Sequence, residues 1–217
     1  MNIKNISNNI VFIYKENITS SIQLDPIKTS IIDIYLDKSP KPTLAQFPDV
    51  TAIMVPEIPM SLIFEKNKAI ISDQSIGDLI SKDVLKFSQL VKKINEIIKG
   101  EILSYGYNFV YEVDNDFSKT IAKIHSQFFK PISKLMLPKG SVFKYAIPKI
   151  VFEYKKGKIT LGFEPIIDNP QSKEIDRFRV STNVHFNKKD LPSIEELKND
   201  YINYESYISN YIRQIIS

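Results

Sequence analysis

Cysteine is absent from the 217-residue chain. Its absence excludes disulfides, thiolate nucleophiles and cysteine-ligated zinc or iron–sulfur centres. Glycine is scarce, at six residues, which argues against phosphate-cradling glycine loops. Histidine occurs twice, as His125 and His185, with no HExxH motif and no pair at metal-ligand spacing. Zinc sites take three or four protein ligands, so the sequence implies no metal centre, and it implies no cofactor. No apolar run approaches the roughly 20 residues of a membrane span. Met1-Asn2-Ile3-Lys4-Asn5 lacks the apolar core of a secretion signal. The expectation is a soluble, intracellular, cytoplasmic protein with no membrane partner.

Charge of either sign is also held in check. The 29 basic residues exceed the 25 acidic ones to give a net charge of +4 and a pI near 8.9. A mildly basic balance permits nucleic acid as a partner without requiring it. With 43% hydrophobic residues the chain has enough apolar side chain for a substantial core.

The pattern that is present is strongest at the C-terminal end. Ile194, Leu197, Tyr201, Tyr204, Ile208, Tyr211 and Ile215 recur in steps of three and four, one stripe of an α-helix. Ser193 and Glu196 fit a capping box at its start. Ile80, Val84, Phe87, Val91, Ile94 and Ile98 make a second stripe, with Gly100 placed to stop the helix. Between the two, Leu103, Tyr105, Tyr107, Phe109, Tyr111 and Val113 alternate with polar residues, the period of a strand. Asp114-Asn115-Asp116 then caps a shorter helix carrying Phe117, Ile121, Ile124 and Phe128. Pro131, Pro138 and Gly140 bound a loop.

Shorter β-rich runs complete the chain. Ile10 to Tyr14, Ile31 to Leu36 and Thr51 to Val55 read as strands, with a turn at Asp25-Pro26 and a loop at Ser39-Pro40-Lys41-Pro42. Met60 to Phe64 and Ala69 to Ser72 form a hairpin in which Asn67 suits a left-handed turn position. Ile150, Phe152 and Tyr154 form a strand that returns through Lys155-Lys156-Gly157-Lys158 to Ile159, Leu161 and Phe163. A loop with Pro165, Asp168-Asn169-Pro170 and Ser172 precedes a strand from Arg177 to Phe186. Ile58-Pro59 before the first hairpin is echoed by Ile147-Pro148 before the second.

Hairpins with helices at segment ends predict an α+β fold: mainly antiparallel sheet, covered on one face by two long amphipathic helices. The chain reads as a single domain, 1–217, of two similar β-rich halves, about 1–100 and 101–217, sharing one sheet. In element order the second half resembles the half-repeat of saddle-shaped TATA-binding-protein-like folds. No motif of that family is present, and the resemblance implies element order alone.

Two surfaces stand out. Along the last strand, Arg177, Arg179, Ser181, Asn183 and His185 share one face, where guanidinium forks, an amide and an imidazole match phosphate oxygens. Ser104, Asn108, Glu112, Glu153, Thr160 and Glu164 are expected on that same sheet face, and the carboxylates could equally pair with the arginines. The second surface is the terminal helix stripe, where Tyr201, Tyr204, Ile208, Tyr211 and Ile215 suit a protein interface. The first functional reading is a non-catalytic binding or assembly protein that meets a protein partner or a second copy of itself through the sheet face and this helix. The second is nucleic-acid binding through the Arg177, Arg179, Asn183 and His185 face, with Lys149 and Lys155 at its margin. The third is a metal-assisted hydrolase using Asp114, Asp116 and His185, which requires those groups to converge.

Overall fold

A single nine-stranded antiparallel sheet, backed by four helices, forms the computed structural model, which describes residues 2–20, 22–73, 83–128, 149–167 and 176–216. Its strands are β1 (Asn2–Tyr14), β2 (Thr43–Phe47), β3 (Val50–Val55), β4 (Met60–Glu65), β5 (Lys68–Asp73), β6 (Ile102–Asp114), β7 (Lys149–Tyr154), β8 (Gly157–Pro165) and β9 (Arg177–Phe186). Its helices are α1 (Leu24–Ile34), α2 (Val84–Ile98), α3 (Phe117–Phe128) and α4 (Ile194–Ile216), with a 3₁₀ turn at Leu36–Lys38. The strand order is β2-β3-β4-β5-β1-β6-β9-β8-β7. The fold is therefore α+β, as expected. Ile80, Pro131, Pro138, Gly140, the Phe128 side chain and the loop from Asp168 to Ser172 lie outside the described residues.

Both halves run strand, helix, hairpin strands, helix. The first strand of each half, β1 or β6, lies at the sheet centre, and the last strand, β5 or β9, lies beside it. Because β1 and β6 pair antiparallel, the two halves face each other about an approximate two-fold axis through that pair. The echoed hairpins match in detail: Lys66 and Lys155 open their two-residue turns at φ 41° and 53°. The left-handed residue of the first hairpin is thus Lys66, not Asn67. Twist-compatible hairpin turns need positive φ at the first central position, whatever residue stands there.

The core lies between the sheet and the helices. Phe12, Tyr105, Phe109, Phe163, Phe178 and Val184 are all buried on that one face of their strands, as the cross-strand register requires. Tyr201 of α4 joins the layers: its ring lies 5.4 Å from Phe109 of the sheet and 6.4 Å from Phe87 of α2. Buried tyrosines keep their hydroxyls bonded, as the cost of an unpaired polar group demands. Tyr107 donates to the Leu197 carbonyl at 2.9 Å and Tyr204 to the Tyr154 carbonyl at 2.9 Å. Tyr14, on β1, donates to the Asn95 side chain of α2.

Several expectations are corrected. Ile31 to Leu36 is not a strand. α1 runs through Ile34, because Pro26 stands in its first turn, where a missing N–H costs nothing, and Ile27 and Ile31 bury one helical side. β2 was not foreseen: as an edge strand largely exposed on both faces, it carries no alternation. Leu103 does not face the core. A register shift sets Ile102 opposite Tyr14 and Ser104 opposite Ile13, so Leu103 is bulged outward, 41% exposed. At the end of α2 the left-handed residue is Lys99. Gly100 serves close packing instead, since a Cβ there would lie 2.7 Å from the Tyr14 ring.

The stripe of α4 is spent on the chain's own core. Tyr201, Tyr204, Ile208 and Ile215 are at most 3% exposed, and Tyr211 is half-buried against Phe152, 5.1 Å away. These residues cover the sheet and are not available to a partner as an interface. The physical reason is the sheet's own demand: its apolar face needs a cover as long as α4 provides. Ile208→Ala is expected to lower unfolding free energy by about 2–5 kcal/mol in denaturant titration while leaving the solution mass unchanged.

The predicted capping box forms. The Ser193 N–H donates to Glu196 Oε2 at 2.8 Å, and the Glu196 N–H donates to Ser193 Oγ at 3.1 Å. The Ser193 N–H first, and Lys188 second, hold the Glu196 carboxyl at about 2, below its ordinary 4.5. A carboxyl lowered in the folded state stabilises above its unfolded value, and that contribution is lost as pH falls through the folded one. Glu196→Gln is therefore expected to flatten the loss of melting temperature between pH 4.5 and 2, and Ser193→Ala to cost about 1 kcal/mol at neutral pH.

Candidate functional site

The sheet face opposite the helices is where the exposed strand residues gather. Alternation along β9 places Phe178, Val180, Thr182, Val184 and Phe186 in the core and Arg177, Arg179, Ser181, Asn183 and His185 on this outer face. The expected neighbours join them: Glu112 and Glu164 flank Arg179, Asn108 and Thr160 flank Asn183, and Lys158 lies beside His185. Glu153 lies beside Lys158, and Ser104 beside Ile13.

The five β9 residues do not act alike. Arg177 is paired with Glu112, Nη1 to Oε1 at 2.9 Å. Arg179 and Lys158 are exposed and make no ion pair among the described residues. His185 Nε2 bonds Asn187 Oδ1 at 2.8 Å. Ser181 is half-buried. Asn183 belongs to a row of carboxamides: its Nδ2 donates to Asn108 Oδ1 at 2.7 Å, and Asn108 Nδ2 donates to Asn9 Oδ1 at 2.7 Å. The three amides point head to tail across β9, β6 and β1. Each carboxamide has two N–H groups and two lone pairs, so the row keeps hydrogen-bonding capacity for a ligand. Ser72 and Thr160 extend it on either side, to about 19 Å over five strands at the usual strand spacing.

Beside the row the face dips into a shallow trough of about 420 Å³, lined by Asn9, Val11, Ile70, Gly106, Asn108 and His185 among others. Lys68 stands at its rim, 3.1 Å from Glu65. Gly106 shapes it, because β6 and β9 approach so closely there that a Cβ would lie 2.6 Å from the Val184 carbonyl oxygen. That neighbour is backbone and cannot rotate away. Gly106→Ala is expected to cost about 1–3 kcal/mol by overpacking, seen as a lower denaturation midpoint, and to close part of the trough.

Sequence reasoning missed Asn9, Lys68 and the apolar floor of Val11 and Ile70. The signal was blurred because Ile10 to Ile13 is apolar at every position, so its period of two does not show. The register with β6 resolves it: Ile10 and Phe12 face the core, Asn9 and Val11 the outer face.

A second hollow, about 190 Å³, lies at the end of β9, lined by Tyr105, Lys156, Phe186, Lys188, Glu196 and Asp200 among others. Burial pushes the Asp200 carboxyl up, against a bond from the Tyr105 hydroxyl at 3.3 Å. Burial, with Asp200 next, likewise raises the Tyr105 phenol.

The hydrolase constellation does not assemble. Asp114 lies opposite Arg177 at one end of the β6–β9 ladder and His185 lies opposite Gly106 near the other, about 26 Å apart at 3.3 Å per residue. Asp116 caps α3, its Oδ1 accepting the Lys119 N–H at 2.9 Å. Among the described residues no three acidic or histidine side chains gather as a metal site. No helix among them is long and apolar enough to cross a membrane.

No family model matches the chain. No curated protein matches it either. Among solved structures it has a loose likeness to a rolling-circle replication initiator protein from Geobacillus stearothermophilus, with a TM-score of 0.34 and 8% identity over 92% of this chain and 80% of that one. A likeness at that level identifies neither a family nor a function.

Proposed function

We propose that the protein binds nucleic acid through the outer face of its sheet. The observation that carries this reading is the row Asn9–Asn108–Asn183, set beside a trough on the face opposite the helices. Carboxamides offer donors and acceptors together, as base edges require. Arg179, Lys158 and Lys149 are exposed on the same face, placed to meet phosphates. Assembly through the α4 stripe has less support, because that stripe is buried within the chain.

Fluorescence anisotropy with labelled DNA and RNA, titrated from low to physiological salt, tests the proposal. The expected result is binding whose logarithm falls against log salt with a slope of about −3, from about three phosphate contacts. Arg179→Ala is expected to reduce that slope by about one. Undetectable or salt-insensitive binding would refute the proposal.

A further inference from the structure

Nucleic-acid binding by the outer sheet face leaves open which form of nucleic acid that face takes, and the inference rests on that reading. We infer that the ligand is duplex DNA met at its minor groove, with A·T-rich sequence preferred to G·C-rich. Three observations converge on this.

The first is where the aromatic rings stand. Proteins that hold single strands stack bases on exposed rings. Here Phe12, Tyr105, Tyr107, Phe109, Phe178 and Phe186, the rings of the three central strands nearest the trough, are buried on the helix side. Among the described residues the large exposed hydrophobics include a single aromatic, Phe47, on the edge strand β2, four strands from the row. The outer face has hydrogen bonds, apolar methyls and charge, but no ring at its centre.

The second is breadth. The major groove, about 12 Å wide, admits a helix or a two-stranded ribbon. Nine strands at the usual spacing span about 38 Å, and the helices are on the other face. A duplex can therefore meet this surface only by laying a groove open across it. The minor groove is the one that side chains on a sheet open by bending the duplex.

The third is the chemistry of the row. In the minor groove A·T and T·A pairs present only acceptors, adenine N3 and thymine O2, whereas a G·C pair adds the guanine amino donor. The N–H groups left over by Asn9, Asn108 and Asn183 after their mutual bonds are donors that match acceptors. A guanine amino group would set donor against donor. Val11 and Ile70, beside Asn9 and lining the trough, supply the apolar contact that a shallow sugar-walled groove takes.

Anisotropy titration of the full chain against equal-length probes tests this: an A·T-rich duplex, a G·C-rich duplex, their single strands and an A·U-rich RNA duplex. The A·T duplex is expected to bind about tenfold or more tighter than each of the others. End-labelled A·T duplex is expected to shorten on binding, read by energy transfer. Asn108→Asp, which turns donors into a charge, is expected to weaken A·T binding about tenfold or more. Asn183→Asp at the exposed end of the row serves if Asn108→Asp does not melt like the parent protein. Single strands binding as tightly as duplex, or G·C as tightly as A·T, would overturn the inference and leave the nucleic-acid reading standing. Loss of binding to every probe would overturn both.

Discussion

Pairing of β1 with β6 along almost their whole length, from Asn2 opposite Asp114 to Tyr14 opposite Ile102, settles both faces of the sheet at once. A slip of one residue would carry every core side chain to the outer face. The true register sets Phe12 beside Tyr105 and Ile10 beside Tyr107 on one side, and Asn9 beside Asn108 on the other. One shift in it, at Ile6, lets Asn5 and Asn8 both turn inward and bond, Nδ2 to Oδ1, at 2.8 Å. β5 and β9 take their registers from this central pair, and the helices then cover whatever apolar surface it exposes.

The same pairing sorts chemistry. Rings go in, where α2 and α4 bury them around Tyr201; amides, hydroxyls and charges go out. A face so arranged has little use as a hydrophobic docking surface at its centre, and the groups that would make a metal centre stand at opposite ends of one strand ladder. What remains concentrated is the carboxamide row and its cationic margin, which is why recognition of a polar, anionic polymer is the reading that the geometry supports best.

Much of this was legible in the chain. Tyr105 to Val113 and Arg177 to Phe186 announce their faces because polar and apolar residues alternate strictly, and Ser193 with Glu196 announces a helix start because the cap is local chemistry. Other features depend on partners distant in sequence. The helical state of Ile27 and Ile31 follows from packing that overrides the strand preference of isoleucine. The outward bulge of Leu103 follows from the end of the β1 register. β2 shows no alternation because an edge strand exposed on both sides has no face to distinguish. The α4 stripe was readable as a stripe, but a buried seam and an offered seam have the same spacing; only the sheet beneath it distinguishes them. Asn9 was hidden for the opposite reason, lying next to a run that is apolar on both faces.

The absence of cysteine makes the central claim, that the outer sheet face is the working surface, directly testable. Thr160→Cys places a single thiol beside Asn183 on that face. Ile202→Cys places one on the exposed side of α4, where Ile202 is 46% exposed. Alkylation rates of the two variants, measured with and without saturating duplex DNA, report which surface is covered. Slowed alkylation at position 160 with an unchanged rate at 202 is the predicted result. Protection at 202 alone, or at neither position while DNA is bound, would contradict the account.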